Sequence, residues 1–440
     1  MANVAFARLS DTLGVLAEVV LPNLAKGPIY RRDLGVRMGA VLDLDRRGVA
    51  RMQALRRRYG EGPVVVAIGS RKHAVLLSVE DARRVLAETP EPFATDTLEK
   101  HGALAHLEPG NVLISRGPER TERRAWHEAA LQSDCPVHDL ADAVEQHVAQ
   151  AAADLAARDR VDWPTFRMCW LAMTRGLLLG PSAAQDERLA RELNALREDA
   201  NWSVLKPVRK TARKRFLARV AAHAALAPPD SIVGRARGLP KGSATHIAAQ
   251  IPQWLFAFDA AGITTLRALA LLDAHREARA RALADHGDQL RPFLRAAVLD
   301  AVRLYPTTPL ILRETTTETP WPGATLPAGT GIVIYVPYFH RDGERLAFAD
   351  RFAPEVWIEG ESEALGFIPF SAGPAACPGR ELVLLTASAM LERLVEAGAS
   401  IEGAAIAPPR PLPATLDHTR LVIAFARRPG SCIVSRSSQR

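Results

Sequence analysis

The sequence predicts a mainly helical α+β protein, a large helical part with small β-sheets packed beside it. Two patterns predict this. From about Val79 to Ala301, long segments rich in Ala, Leu, Arg and Glu place apolar residues at helical spacing. Short β-branched runs bounded by Gly or Pro lie outside that stretch, so strands from both ends of the chain must meet beside a helical middle. No internal repeat and no Gly/Ser linker divides the 440 residues. The chain therefore reads as one domain, 1–440, with β-rich portions at about 60–80 and 305–428 and a helical portion at about 80–303.

Near the start, the apolar patch Leu13 to Leu24 contains Glu18 and Pro22 and lacks a basic start and a cleavage-like end, so it is not read as a signal peptide. PVVVAIG (63–69) is strand-like, and DLADAVEQHVAQAAADLAARD (139–159) is helical. KPVRKTARKRFLAR (206–219) packs seven basic residues into a surface helix, either a solvated face or a surface for a membrane or an acidic ligand. The nearly uncharged run Gly242 to Leu266 contains Asp259, Gln250, Pro252, Gln253, Thr264 and Thr265. That polar content suits a helix buried through a large protein better than a lipid-spanning one, and no transmembrane anchor is expected. Pro252 either marks its first turn or kinks it. HREARARALADH (275–286) continues the helical text, and PLILRET (309–315), GIVIYVP (331–337) and RLVIAFARR (420–428) close it with strands.

Hydrophobic residues at 48% and charged residues at 24% exclude disorder, collagen and coiled coil. The net charge of +7 is a mild excess that favours anionic partners without the signature of nucleic-acid binding. Cys135, Cys169, Cys377 and Cys432 are too few and too widely spaced for a disulfide framework or a paired zinc site, which fits a reducing, cytoplasmic setting. Twelve histidines are scattered without metal-ligand spacing.

The text that carries chemistry is FSAGPAACPGREL, Phe370 to Leu382, between extended sequence and an apolar helix beginning around Glu381. Gly373 and Gly379 allow tight or positive-φ backbone, Pro378 stiffens the turn, and Cys377 stands just before a helix start. Free N–H groups and partial positive charge there lower a thiol pKa and suit an axial metal ligand. Cys135-Pro136 lacks the surrounding glycines and aromatic residue and reads as structural.

The pattern F-x-x-G-x-x-x-C-x-G, met by Phe370, Gly373, Cys377 and Gly379 with Arg380 following, resembles the haem-binding loop of the cytochrome P450 superfamily. Three further landmarks follow in the order that resemblance implies. LDAVRLYPTTPLILRET resembles the family's E-x-x-R helix, with Asp300 in the Glu position, Arg303 in the Arg position, and Arg351 in FADRFAPEVW as the candidate downstream partner. DAAGITTLRAL is similar to the family's oxygen-activation segment through Ala261, Gly262 and Thr265. Small residues there would let the helix pass close over a flat cofactor. Thr264 stands where the family has an acid, so Asp259, Thr264 or ordered water would have to serve the proton relay. SRGPERTERRAW resembles the helix that binds the haem propionates, with Arg120 and Arg124 on one face, and Arg313 matches another propionate contact. Ala375 replaces the usual His or Arg two residues before the cysteine, so one contact is missing or supplied elsewhere. Thr95, Thr97, Leu104 and His106, within 92–114, fall where the family lines its substrate pocket, and Phe258 and Ala261 are further substrate neighbours.

The resemblance implies a cytochrome P450 fold with haem b buried between two long helices and ligated by Cys377. It implies a soluble, bacterial-type haem-thiolate monooxygenase that inserts one oxygen atom from O2 into a small apolar or aromatic molecule. Neither a G-x-G-x-x-G after a strand nor a cysteine cluster occurs, so electrons would come from a separate ferredoxin and ferredoxin reductase. Two rivals stay open. One is haem-thiolate chemistry other than monooxygenation, by peroxide, rearrangement or nitrene-type transfer. The other is a non-catalytic haem or small-molecule binding protein.

Overall fold

The structure is a computed structural model that describes residues 3–69, 71–285 and 289–426; Cys432 and the end of the 420–428 run lie outside these. Eleven strands are present among the described residues: β1 (Ala5–Phe6), β2 (Val64–Ile68), β3 (Arg71–Val75), β4 (Phe93–Ala94), β5 (Arg160–Asp162), β6 (Leu310–Thr315), β7 (Thr319–Trp321), β8 (Ala324–Leu326), β9 (Gly331–Tyr335), β10 (Ser400–Glu402) and β11 (Val422–Ala424). Six form one sheet in the order β1-β2-β3-β9-β6-β4, which joins both ends of the chain. Its register pairs Arg313 with Ile332 and Ala94 with Glu314. Ile311, Arg313 and Thr315 alternate onto the buried face of β6, which places a guanidinium on the core side. A second sheet runs β10-β11-β5, and β5 comes from inside the helical middle, which the sequence reading did not foresee. GIVIYVP is strand over its first five residues: β9 ends at Tyr335 and a short helix, Val336–Arg341, follows with Pro337 in its first turn.

The uncharged run forms the longest helix described, Ile247–Ala274. Its 28 residues extend roughly 42 Å at 1.5 Å per residue. It packs against the helices Trp163–Leu179, Pro292–Leu304 and Arg380–Glu396, and residues from all four form the main apolar core. Among the described residues it alone has the length and apolarity to cross a membrane, yet 83% of its most apolar stretch is buried inside the protein. Pro252 lies inside the helix rather than in its first turn, so the Ala248 carbonyl loses its helical partner. A second apolar cluster lies under the six-stranded sheet around Val64, Leu76, Val85, Ile332 and Ile334.

Gly262 marks a close helix–helix approach in this packing. A Cβ there would stand 2.7 Å from Cδ1 of Trp170, whose Nε1 donates to the Phe258 carbonyl at 2.6 Å. The small residue serves the contact between two helices, which corrects the expectation that it makes room for a flat cofactor. In the basic stretch, Lys206 and Arg209 pair with Asp199, and Arg219 pairs with Asp186 and Glu192. Lys210, Lys214 and Arg215 are exposed.

Candidate functional site

The loop before the Arg380–Glu396 helix is held by its own backbone. Cys377 N–H donates to the Phe370 carbonyl at 2.9 Å, Ala376 N–H donates to that of Gly373 at 2.9 Å, and residues 373–375 make a 3-10 turn. Gly373 has φ +65, and a Cβ there would meet the Leu86 carbonyl oxygen at 2.2 Å, so the loop can close on the Val79–Ala87 helix only with glycine. Gly379 is different. Its φ of −95 is open to any residue and a Cβ would meet only Leu131 at 3.7 Å, so no backbone constraint requires glycine there.

Protein atoms surround Cys377, yet the residue keeps part of its surface exposed. Burial pushes the thiol up, while a backbone N–H at Gly379 and the charges of Arg124 and Arg380 pull it down. Burial wins, which corrects the expectation that the helix start alone makes a thiolate. A thiolate here needs a bound cation as its partner.

The three predicted guanidiniums gather around this loop with unequal roles. Arg124 donates from Nη1 to the Ala376 carbonyl at 2.7 Å and pairs through Nε with Glu128 at 2.6 Å, so it clamps the loop and is itself neutralised. Arg120, one turn earlier, is buried, its Nε has no partner, and among the described residues no carboxylate lies within ion-pair distance. Arg313 is equally buried and donates to Thr89 Oγ1 at 3.1 Å, the Leu312 carbonyl at 2.9 Å and Ser371 Oγ at 3.4 Å. Burial, with the charge of Arg120, pulls its pKa down to about 10.

Lys100 joins them and was missed in the sequence reading. Its Nζ donates to the carbonyls of Thr95 and Leu312 at 3.1 and 3.0 Å, and burial, then the charge of Arg313, holds it well below the usual lysine range. Only the pairing of β4 with β6 brings this lysine beside Arg313. Buried Arg120 and Arg313 and half-buried Lys100 thus form a cationic group without a paired carboxylate, an arrangement that favours a bound anion. An iron porphyrin needs a donor to its metal and cations for its two carboxylates. The sulfur of Cys377 offers the first and this group the second, so the residues present fit haem, and Lys100 would stand in for the contact absent at Ala375.

On the long helix, the part-exposed residues are Gln253, Phe256, Ala257 and Ala260 through its middle, a stripe at helical spacing. Thr264 is one turn beyond Ala260 on that stripe. Thr265, fully buried beside it, donates from Oγ1 to the Ala261 carbonyl at 2.9 Å. Phe258 and Ala261 are buried, and Phe258 lies on the side of the helix away from the stripe, so Phe256, Ala257 and Ala260 replace it as wall candidates. Asp259 faces two other helices: Arg167 binds it at 2.8 and 3.1 Å and Arg197 at 2.9 Å. Burial opposes its charge, but the two guanidiniums win and hold the carboxyl down to about 2. A permanently ionised, doubly paired carboxylate is no proton relay, which corrects the role expected of it.

In the 92–114 segment, Thr97 caps the Leu98–Leu104 helix by accepting from Lys100 N–H at 3.3 Å, a structural task. Leu104 is buried, and so are Thr95 and His106, whose Oγ1 and Nδ1 have no partner. Glu108, also unforeseen, is fully buried, accepts from Asn111, and is pushed by burial well above the usual carboxylate range. Asn111 Nδ2 also donates to Gln253 Oε1 at 2.9 Å, tying this segment to the open stripe.

Asp300 and Arg303 form a fully buried bidentate pair at 2.5 and 3.1 Å. Arg351 takes part only through its carbonyl, which accepts from Arg303 Nη2 at 2.6 Å, while its side chain is exposed and donates to the Ala347 carbonyl at 3.4 Å. The expected guanidinium contact is thus corrected to a backbone one. The remaining lone pairs of Asp300 accept from Ala353 N–H at 2.8 Å and Trp357 Nε1 at 3.1 Å.

Comparison with known proteins agrees with this geometry. The family model described as cytochrome P450 matches residues 275–397, which span the Asp300–Arg303 helix and Cys377. Cytochrome P450 52A6 of Candida tropicalis is 33% identical over 141 residues, 29% of this chain and 27% of that protein. Cyclooctat-9-en-7-ol 5-monooxygenase of Streptomyces melanosporofaciens is 33% identical over 102 residues, 22% of each chain. These matches therefore span about a quarter of the curated relatives' length. Solved structures extend the fold likeness much further. A cytochrome P450 (CYP102L1) superposes with a TM-score of 0.69 at 16% identity over 87% of this chain and 94% of its own, and a zebra fish cytochrome P450 solved with abiraterone with 0.68 at 16% over 86% and 98%. With a family match that includes both the Asp300–Arg303 helix and Cys377, and a fold shared over most of its length, the chain belongs to the cytochrome P450 superfamily.

Proposed function

We propose that the chain is a haem-thiolate monooxygenase that inserts one oxygen atom from O2 into a small apolar or aromatic molecule, with electrons from a separate ferredoxin and its reductase. The observation that carries this reading is the half-buried Cys377 beside the cations Arg120, Arg313 and Lys100, which have no paired carboxylate. A Streptomyces relative named as a monooxygenase supports it. When bound, the cofactor supplies the redox chemistry of dioxygen, and thiolate ligation favours O–O cleavage. Arg120, Arg313 and Lys100 fix its orientation through its carboxylates, and Arg124 holds the ligand loop in place. Phe256, Ala257 and Ala260 exclude water and give an apolar substrate a wall to pack against. We assign proton delivery to the hydroxyl of Thr264, which continues the open stripe and can donate and accept; Thr265 shares the face of Phe258 seven residues earlier, and its hydroxyl is spent on the Ala261 carbonyl. The net charge of +7 favours an acidic electron donor, and the free thiols Cys135, Cys169 and Cys377 suit a cytoplasmic setting.

A second reading, haem-thiolate chemistry without monooxygenation, is favoured by Asp259, whose pairing leaves no free carboxylate on the long helix near Thr264. The two are separated by turnover of terpenoid and aromatic compounds under 18O2 with a surrogate ferredoxin and reductase. Product with one labelled oxygen, formed only with the electron donors, establishes monooxygenation. Product formed without donors, from peroxide or by rearrangement, establishes the second reading.

A further inference from the structure

A second cavity, of about 200 Å³, opens between the Leu44–Tyr59 helix, the flank of the long helix at Ile263 and Arg267, residues 305–309, and residues 414–418. No residue of the Cys377 loop lines it. Its charges do not balance. Lys26 is taken up by Asp45 at 2.5 Å, and Asp350 is shared by Arg341 and Arg46, the latter at 3.1 Å. Two guanidiniums remain. Arg267, 7% exposed, donates to the Leu416 carbonyl at 3.2 and 2.9 Å and the Tyr305 carbonyl at 3.0 Å. Arg31 donates to the carbonyls of Gly27 and Thr307. Among the described residues neither has a carboxylate within ion-pair distance. Burial, then the charge of Arg31, pulls Arg267 down to about 10. Tyr305, Asn23 and His418 also border the cavity, are at least nine-tenths buried, and each keeps a polar atom without a partner. Val49, Ile263, Leu304 and Leu416 supply an apolar stretch of wall.

We propose that this cavity is a binding site for a small organic carboxylate, its anionic head between Arg31 and Arg267 and its apolar body against the Ile263–Leu304 wall. A half-buried and a buried guanidinium of like charge, held by carbonyl dipoles, the His418 ring and the Tyr305 face rather than by a carboxylate, are stabilised by an anion, and the apolar wall favours an organic acid over a compact inorganic ion. Guanidinium forks match carboxylate geometry. The site is independent of the oxidative reading, since none of Cys377, Arg120, Arg124, Arg313 and Lys100 lines it.

The test is calorimetric titration of the haem-loaded protein with benzoate and hexanoate, with benzyl alcohol as the neutral counterpart and inorganic phosphate as the compact anion, while the Soret band is followed. One carboxylate site is expected, at least tenfold tighter than benzyl alcohol or phosphate, with the Soret band unmoved. Arg267→Gln is expected to weaken it at least tenfold. Because Arg267 also bridges two backbone segments, Ala50→Trp provides a second variant: Ala50 is exposed and lines the cavity, so the indole fills the opening without touching the core. That variant is expected to keep its melting temperature and Soret band and lose the carboxylate. No binding by either acid, phosphate binding as tightly, or binding that survives Ala50→Trp and shifts the Soret band overturns the proposal.

Discussion

Replacing Arg313 by methionine separates the two things a buried guanidinium can do, stabilise the folded chain or hold a carboxylate. The fall of its pKa from the ordinary 12.5 to about 10 corresponds to about 3 kcal/mol of destabilisation by the buried charge. Against this stand its bonds to Thr89, Leu312 and Ser371, worth about 1 kcal/mol each. Losing charge and bonds together therefore leaves the haem-free chain within about 1 kcal/mol of the parent. Haem retention behaves otherwise. Removing one partner of a buried, hydrogen-bonded charge pair costs about 2–5 kcal/mol, roughly thirtyfold to several-thousandfold in affinity. A urea titration read by Soret absorbance and far-UV circular dichroism measures both at once. The account expects the Soret midpoint of Arg313→Met to fall well below that of the parent while the dichroism midpoint of the haem-free chain stays put. Unchanged haem retention, or a loss of fold in the haem-free chain as large as the loss of haem, would refute the assignment of Arg313 to an anion.

Asp300→Asn should have the opposite signature, destabilising the chain with or without haem by about 3–5 kcal/mol because Arg303 is left buried and unpaired, whereas Arg351→Ala should change stability by less than about 0.5 kcal/mol; urea midpoints of both variants check the pair. Gly262→Ala should cost about 1–3 kcal/mol, since the new methyl meets Trp170 at 2.7 Å, and a melting temperature equal to the parent's would count against the helix contact. Burial lowers the folded-state pKa of His127 to about 4 from 6.5, so the stability from its neutral form is complete above pH 6.5 and is lost as pH falls toward 4, about 3 kcal/mol from this residue. Asp259, whose folded pKa is depressed to about 2, contributes fully above its ordinary 3.8 and loses its contribution only below that. Denaturation at pH 7.5, 6 and 4.5 should therefore show a steady decline driven by histidines; a flat profile contradicts it.

What the sequence made legible follows the reach of each interaction. The Cys377 loop could be read because Phe370, Gly373, Cys377 and the helix start are within a dozen residues, and the hydrogen bond from Cys377 to Phe370 is equally local. Asp300 and Arg303 could be read for the same reason, being three apart on one helix. Arg351 misled because the contact is made by a carbonyl, which every residue has, and the indole of Trp357 gave no signal of its role. Lys100 was invisible because its place depends on β4 pairing with a strand more than two hundred residues away. Asp259 was the most tempting substitute for the absent acid, yet direction around the helix decides, and Arg167 and Arg197 lie on the side it faces. Gly262 matched a motif for one reason and serves the fold for another, the indole of Trp170. β5 was lost inside helical text because three residues, paired with β11 from the far end of the chain, carry no periodicity.

The central claim is that Cys377 ligates haem iron through sulfur, and the optical spectrum of the reduced, carbon monoxide-treated protein tests it most directly, beside Cys377→Ser. The account predicts a strongly red-shifted Soret band in the parent that is lost in the variant. A parent that takes up no haem on supplementation, or one whose band stays at the unshifted, histidine-type position, would contradict it.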